Sequence, residues 1–419
     1  MTSTLEVGGA RPPASVSRAG SIPPSCLHDA FRSAQAWELA NGRPSIRLHV
    51  GEPAFAPPPA AVEALGAAAR EGRTAYTSAE GMDPLREALA EKLERENGHR
   101  TRYDRIFITP GSCQGLAALM QSVANPGDEI LLPRIHWPIH LQQALLAGLR
   151  PRFYRLDADF RPDLEALEDA GSERTRMILV NTPSNPTGAV LERPFLEAVL
   201  DVARRRGWQV LSDEAYEHFV FEGEHVSMAS LERDVPEEER LVYSTYSFSK
   251  SYAMTGYRLG YVAVPNAAAG DALRVVQEAS IVSPPTPVQY AALAALSDPD
   301  ATARNHEAVR ACRDRSLPRL VEAGLLRRVP EGGWYALLDL APTGLDAEEF
   351  SARLLAEHGT AIAPARGFAL RPELDADGRV VAVTEDPRLS TLVRVAFCGD
   401  GDQLETGVDR LVALATGGR

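Results

Sequence analysis

Lysine and arginine together number 44 in this chain, yet only two of them, Lys92 and Lys250, are lysine. Lys92 lies in REALAEKLEREN beside Glu91 and Glu94, and reads as a charge on a solvated helix face. Lys250 lies in SFSKSYAMTGYRLGY, with no carboxylate within ten residues on either side. A guanidinium stays protonated, whereas a partly desolvated ammonium can lose its proton and form a Schiff base. Lys250 is therefore a candidate for covalent chemistry, and Arg258, eight residues on, for holding an anion. Local context alone leaves open that Lys250 is a leftover surface charge.

Other residue types that can do chemistry sit in short turns. TPGSCQG places Gly111, Ser112 and Cys113 where a helix opens, and the N–H groups of such an opening attract phosphate. NTPSNPTG has two prolines and a glycine that stiffen a turn and aim Asn185. SDEAY carries Asp213 with Tyr216 three residues later. Asp213 could cap a helix, bind a metal or face a buried cation, and no His or carboxylate cluster beyond Glu214 supports the metal. Pyridoxal phosphate (PLP) needs this whole set. Its aldehyde takes a lysine amine, its phosphate Arg, Ser and backbone N–H groups, its pyridine nitrogen an anion, and its ring hydroxyl Asn and Tyr.

These turns must be carried by something rigid, and the pattern between them is β then α. RIFIT (105–109), EILL (129–132), MILVN (177–181), WQVLSD (208–213), LVYSTYS (241–247) and GYVAV (260–264) read as strands. Between them 112–124, 137–148 and 193–207 have helical apolar spacing. Such alternation predicts an α/β fold with a mainly parallel sheet flanked by helices, and ligands at the C-terminal strand ends. Beyond about 285–325, strands near 334–340, 361–365 and 392–397 mix with helices at 346–357 and 401–415, as in a smaller α+β domain. The expected division is a mobile arm (1–25), a first part of the small domain (26–70), a large domain (71–290) and a small C-terminal domain (291–419).

From residue 45 onward the chain resembles the fold-type I PLP enzymes, specifically the class I/II aminotransferases similar to aspartate aminotransferase. IRLHVGEPAF, AYTSAEGMDPLREALA, TPGSCQGL, NTPSNPTG, SDEAY, SFSKSYAMTGYRLGY and VRVAFC follow in the family's order. The resemblance implies a seven-stranded-type sheet and a role for each matching residue. Lys250 would form the Schiff base and shuttle the proton. Asp213 would face the pyridine nitrogen, Asn185 and Tyr216 the ring hydroxyl, and Trp137 would stack on the ring. Gly111, Ser112, Cys113, Ser247, Ser249 and Arg258 would surround the phosphate. Tyr76 would reach the phosphate of a neighbouring subunit, which implies a homodimer. Arg394 would bind the substrate α-carboxylate, with Gly51 and Asn185 close by. One segment departs from the family pattern: PARGFAL (364–370) is followed by an insertion-like stretch, 371–390, before the Arg394 strand. Arg366 within it reads as a solvent-facing loop residue or a second anion contact.

A net charge of −13 opposes nucleic acid and anionic membranes as main partners. No apolar run spans a bilayer and the N-terminus has no signal-like core, so a cytoplasmic protein is expected. Four scattered cysteines show no metal-ligand spacing. The expected activity is transfer of an amino group between an L-amino acid and a 2-oxo acid. Elimination, replacement or cyclisation on the same cofactor is the alternative. A regulator built on this fold would need a DNA-binding module, for which the 45 residues before IRLHVGEP are too few.

Overall fold

The computed structural model describes Thr4–Leu5 and residues 17–417. Most of the stretch expected as an N-terminal arm lies outside the described residues. The part that is described forms a short helix, Arg18–Ser21, ahead of the longer helix Cys26–Asn41.

Seven strands form the main sheet, in the order Ile106–Thr109, Gly260–Ala263, Val242–Ser247, Gln209–Asp213, Thr175–Asn181, Glu129–Pro133, Arg150–Tyr154. Gly260–Ala263 alone runs against the others. Helices cover both faces, so central strands are apolar without alternation: Met177, Ile178, Leu179 and Val180 are all buried. Helix Arg193–Arg206 has the local signals for its place. Pro194 starts it, Gly207 ends it at φ 66°, and three arginines in its last turn favour the negative end of its dipole.

Register determines where the turns emerge. Asn181 pairs with Asp213, and Asp213 with Thr245, two residues short of that strand's end at Ser247. Ser247 and Thr109 both pair with Gly260, where the antiparallel strand begins. With the turn after Glu129–Pro133, which runs parallel beside Thr175–Asn181, five turns leave one edge of the sheet together.

A second sheet joins Tyr335–Asp339, Leu392–Ala396 and Ala363–Pro364, all antiparallel. Helices Ala347–His358 and Gly401–Ala415 pack on it around Trp334, Phe350 and Phe397. Ile46–Arg47 pairs in parallel with Thr360–Ala361, and Leu48 enters the same core. Ala215, Tyr216 and Phe219, from the turn after the Gln209–Asp213 strand, also pack there. The turn that carries Tyr216 is thereby locked to the second sheet.

Two features differ from the sequence reading. Residues 371–384 form a hairpin, Arg371–Leu374 with Val380–Thr384, and Thr4–Leu5 adds a third strand. Arg366 pairs with Glu385 at 3.0 Å, so it is spent within this segment. Lys92 is not on a solvated face. It is 2% exposed, and its Nζ donates to Glu217 Oε2 at 2.5 Å and Asn97 Oδ1 at 2.8 Å. Local spacing showed its neighbours Glu91 and Glu94, but the decisive partner lies 125 residues away.

Candidate active site

The five turns enclose a cavity of about 400 Å³. Ser112, Cys113, Trp137, Asn185, Asp213, Tyr216, Ser247, Ser249, Lys250, Arg258 and Gly51 all line it. Gly111 and Arg394 do not line it but touch residues that do, Gly111 against Arg258 and Arg394 against Asn185 and Tyr335. Tyr76 does not line it and is 82% exposed.

Helix Gly111–Val123 presents its N-terminus to one end of the cavity. Gly111 has φ 78°, and a Cβ there would stand 2.6 Å from Arg258 Nη2, so only glycine lets the guanidinium lie against this turn. Arg258 itself holds φ 54° and donates from Nη1 to Thr255 O at 2.8 Å. Ser247 Oγ accepts from the Ser249 N–H at 3.2 Å. Three hydroxyls, a guanidinium and a helix N-terminus together suit a phosphate dianion. Burial raises the Cys113 thiol above its ordinary value despite the Arg258 charge, so the thiol stays neutral there.

Asp213 lies in the cavity floor, 5% exposed. His140 Nε2–H donates to Asp213 Oδ2 at 2.9 Å, and the Ala215 N–H reaches Oδ1 at 3.3 Å. His140 stands one helical turn beyond Trp137, which meets it edge-on at 5.2 Å. Asn181 ties two turns together: its Oδ1 accepts from the Asn185 N–H at 2.9 Å, and its Nδ2 donates to Asp213 O at 3.0 Å. Burial, the adjacent Tyr335 and the hydrogen bond between them raise the Tyr216 phenol well above its ordinary value, so it is a neutral donor.

Lys250 Nζ donates to Gly51 O at 3.0 Å. It lies 4.9 Å from the Trp334 ring centroid and 5.7 Å from that of Tyr216. Gly51 is needed for a second reason: any Cβ there would overlap the Tyr335 hydroxyl.

Arg394 is 2% exposed and has no carboxylate partner among the described residues. Its Nη1 donates to Asn185 Oδ1 at 3.1 Å and its Nη2 to His49 O at 2.8 Å, while Nε donates to nothing. The Tyr335 and Phe368 rings flank it at 4.1 and 4.9 Å. A buried cation left short of a counter-charge is a place for an anion to enter.

Sequence reasoning missed His140 and Tyr335. His140 was visible in HWPIH, one helical turn from Trp137, whereas nothing in the sequence placed Tyr335 against Gly51 and Tyr216. Among the described residues no helix is long and apolar enough to cross a membrane.

Three kinds of comparison with known proteins point to one family. The family model "Aminotransferase class I and II" matches residues 43–410. The aspartate/prephenate aminotransferase of Thermus thermophilus is 36% identical over 344 residues, 80% of this chain and 87% of that protein. The arginine–pyruvate transaminase of Pseudomonas aeruginosa is 31% identical, over 87% of this chain and 94% of that protein. The structure of T. thermophilus aspartate aminotransferase with maleate superposes at a TM-score of 0.84 with 31% identity, covering 96% of this chain and 99% of that one. A family model matched over most of the chain and relatives above 30% identity over most of both sequences show that this chain belongs to the class I and II aminotransferases.

Proposed function

We propose that this aminotransferase uses PLP, held by Lys250, to move an amino group between an L-amino acid and a 2-oxo acid. The observation that carries the reading is that one cavity holds the Lys250 amine, the Asp213 carboxylate, Asn185, Tyr216 and the Arg258 end together. The donor set fits the cofactor. The Gly111 turn lies against Arg258, and Ser112, Ser247 and Ser249 line the same wall. PLP supplies an electrophilic carbonyl and an electron-withdrawing ring.

The chain supplies the rest. Arg394, a buried cation with no carboxylate partner among the described residues, binds the substrate α-carboxylate, with Asn185 and Gly51 beside it. Lys250 Nζ takes the proton from the substrate Cα and returns it, sheltered between the Trp334 and Tyr216 rings. Asp213 is fixed as an anion acceptor by His140. Trp137 offers a flat face to the ring, and the Tyr216 and Asn185 side chains offer donors.

We also read residues 71–290 as the large domain, and 26–70 with 291–419 as the small one. The pairing of Ile46–Arg47 with Thr360–Ala361 supports that grouping. Tyr76, exposed on one copy, serves the phosphate end of a second copy, making a homodimer with shared sites. Four free thiols suit a reducing cytoplasm.

Borohydride reduction of the cofactor-loaded protein followed by peptide mapping tests the central assignment. The pyridoxyl label is expected on Lys250, and a label on Lys92 overturns it. For the shared site, Tyr76→Phe and Lys250→Ala are each expected to be impaired. Mixed and re-associated, they regain part of the activity, because one hybrid site then has both native residues. Full activity from a monomer rejects the sharing.

A further inference from the structure

Lys92 has no part in the chemistry above, yet it is the more deeply buried of the two lysines and sits in a polar cluster drawn from four elements. Helix Asp83–Asn97 contributes Lys92, Glu96 and Asn97. The turn after the Gln209–Asp213 strand contributes Glu217 and His218, and the helical turn Phe248–Ser251 contributes Ser251. Helix Ala301–Ser316 contributes Asn305, whose Nδ2 donates to Ser251 O at 2.8 Å.

Hydrogen bonds and one ion pair run in a continuous chain. Lys92 Nζ donates to Glu217 Oε2 at 2.5 Å and to Asn97 Oδ1 at 2.8 Å, and Asn97 Nδ2 donates to the same Glu217 oxygen at 2.6 Å. Lys92 lies 3.7 Å from Glu96 Oε2, which meets His218 Nε2 at 3.2 Å. His218 Nδ1 meets Ser251 Oγ at 2.7 Å. The ammonium also lies 5.4 Å from the Tyr246 ring centroid. Burial alone raises the Glu217 carboxyl, but the Lys92 charge and the bonds from Lys92 and Asn97 outweigh it and hold the carboxyl below its ordinary value.

The two ends of this chain are what give it meaning. Glu217 follows Tyr216 and Ser251 follows Lys250 in sequence. The polar cluster therefore grips both active-site residues at the next position along the backbone. We propose that Lys92, Glu96, Glu217, His218 and Ser251 form a positioning relay that fixes Lys250 relative to Tyr216 from outside the cavity. The inference rests on the reading that these two residues act at the cofactor.

A packing-only role would be served as well by an apolar side chain, since well-packed apolar replacements of buried ion pairs are often neutral or stabilising. An arginine would bring a planar fork, whereas the compact ammonium can aim separate donors at Asn97 and Glu217 and still face the Tyr246 ring. That geometry accounts for a lysine at one of only two such positions in the chain.

The test uses the PLP-loaded protein and three variants. Lys92→Met leaves Glu217 buried and unpaired, so it lowers the unfolding midpoint. It is also expected to lower kcat about tenfold, the scale of a sub-ångström misplacement, with KM within about twofold. Lys92→Met with Glu217→Gln removes both charges and is expected to restore the midpoint but not kcat, and to leave the circular dichroism of the cofactor's visible band altered without substrate. Ser251→Ala cuts the His218 bond without stranding a charge. It is expected to keep the midpoint and still alter that band and lower kcat. Recovery of kcat and of the band together with stability in the double variant overturns the proposal. So does a wild-type band and kcat in Ser251→Ala, even if Lys92→Met fails to fold. Labelling of a residue other than Lys250 by borohydride overturns the underlying reading instead, and the two failures are thereby distinct.

Discussion

The two lysines of this protein are surrounded in opposite ways. Around Lys92 the charges close on themselves: its ammonium meets Glu217 and Asn97, and Asn97 meets Glu217 in turn. Around Lys250 they do not. Its amine has one backbone carbonyl, Gly51 O, and two aromatic faces, and no carboxylate pairs with it among the described residues. Nearby Arg394 keeps a free Nε. The Lys92 amine would have to leave a carboxylate before it could react, whereas the Lys250 amine has none to leave among the described residues. On the proposed reading, what the neighbours leave unpaired, and not burial, separates the reacting lysine from the structural one, since Lys92 is the more buried.

The sharpest way to break this contrast is to remove each amine in turn. Lys250→Ala is expected to lower kcat at least about 10⁴-fold, since it removes both the covalent attachment and the proton carrier. Cofactor then remains bound only by the phosphate end and washes out on dialysis. Lys92→Met retains cofactor through dialysis and keeps measurable turnover. Equal turnover of the two variants, measured with a saturating donor, would erase the distinction between the sites.

How much of this was legible beforehand depends on the distance over which each feature is specified. The sheet was readable because its strands are continuous apolar runs between turns with fixed chemistry, as in MILVN followed by TPSNPTG. Lys250, Asp213, Asn185 and Arg258 were readable because each sits in such a turn. The edge strand Arg150–Tyr154 was not, since RPRFY begins with Arg and Pro and buries only its last residue fully. The hairpin at 371–384 was seen as an irregular insertion because its strands are half-buried on both faces. Lys92 was misread for a different reason. Helical spacing reports only partners within a turn or two, and Glu217 comes from another layer of the fold. Tyr335 and Gly51 meet across about two thirds of the chain, so neither residue marks the other in sequence.

A second test concerns the cost of leaving groups buried near an unpaired cation. Burial, reinforced by the Arg394 charge, pushes the His49 ring down from 6.5 to about 4, and neither ring nitrogen has a hydrogen-bond partner among the described residues. Between those values the unfolded chain binds a proton that the folded protein refuses, so stability rises with pH across that window and is lost as pH falls through it. The loss attributable to His49 approaches about 3 kcal/mol by pH 4. Urea unfolding of the wild type and His49→Asn at pH 7, 5.5 and 4.5 measures it. The gap between the two should shift steadily in favour of the variant as pH falls. Parallel curves would mean that His49 is protonated in the fold and that the site is less starved of counter-charge than its contacts indicate.

Arg394→Lys probes the same deficit from the cation's side. The planar fork that reaches Asn185, His49 O and the free Nε direction becomes a point charge without the Tyr335 stack. KM for the amino acid is expected to rise about 10- to 100-fold, the worth of a charge-assisted hydrogen bond, while the visible cofactor band is unchanged. An unchanged KM would remove Arg394 from substrate binding and leave its lack of a partner unexplained.

The smallest expected effect separates the two jobs of Tyr335. Its ring lies 4.1 Å from the Arg394 guanidinium, and its hydroxyl is 3.4 Å from that of Tyr216, at the long end for a hydrogen bond. Tyr335→Phe keeps the ring and removes the weak bond, so kcat/KM is expected to fall only about two- to fivefold, within the range of one neutral hydrogen bond. Tyr335→Ala removes the ring as well and strips Arg394 of one of its two aromatic walls, so its loss should fall mainly on KM and exceed that of the Phe variant. If the Phe variant instead loses as much as the Ala variant, the hydroxyl must touch substrate or cofactor directly. Tyr335 would then belong with Lys250 and Asp213 in the chemistry, and the wall around Arg394 would have to be credited to Phe368 alone.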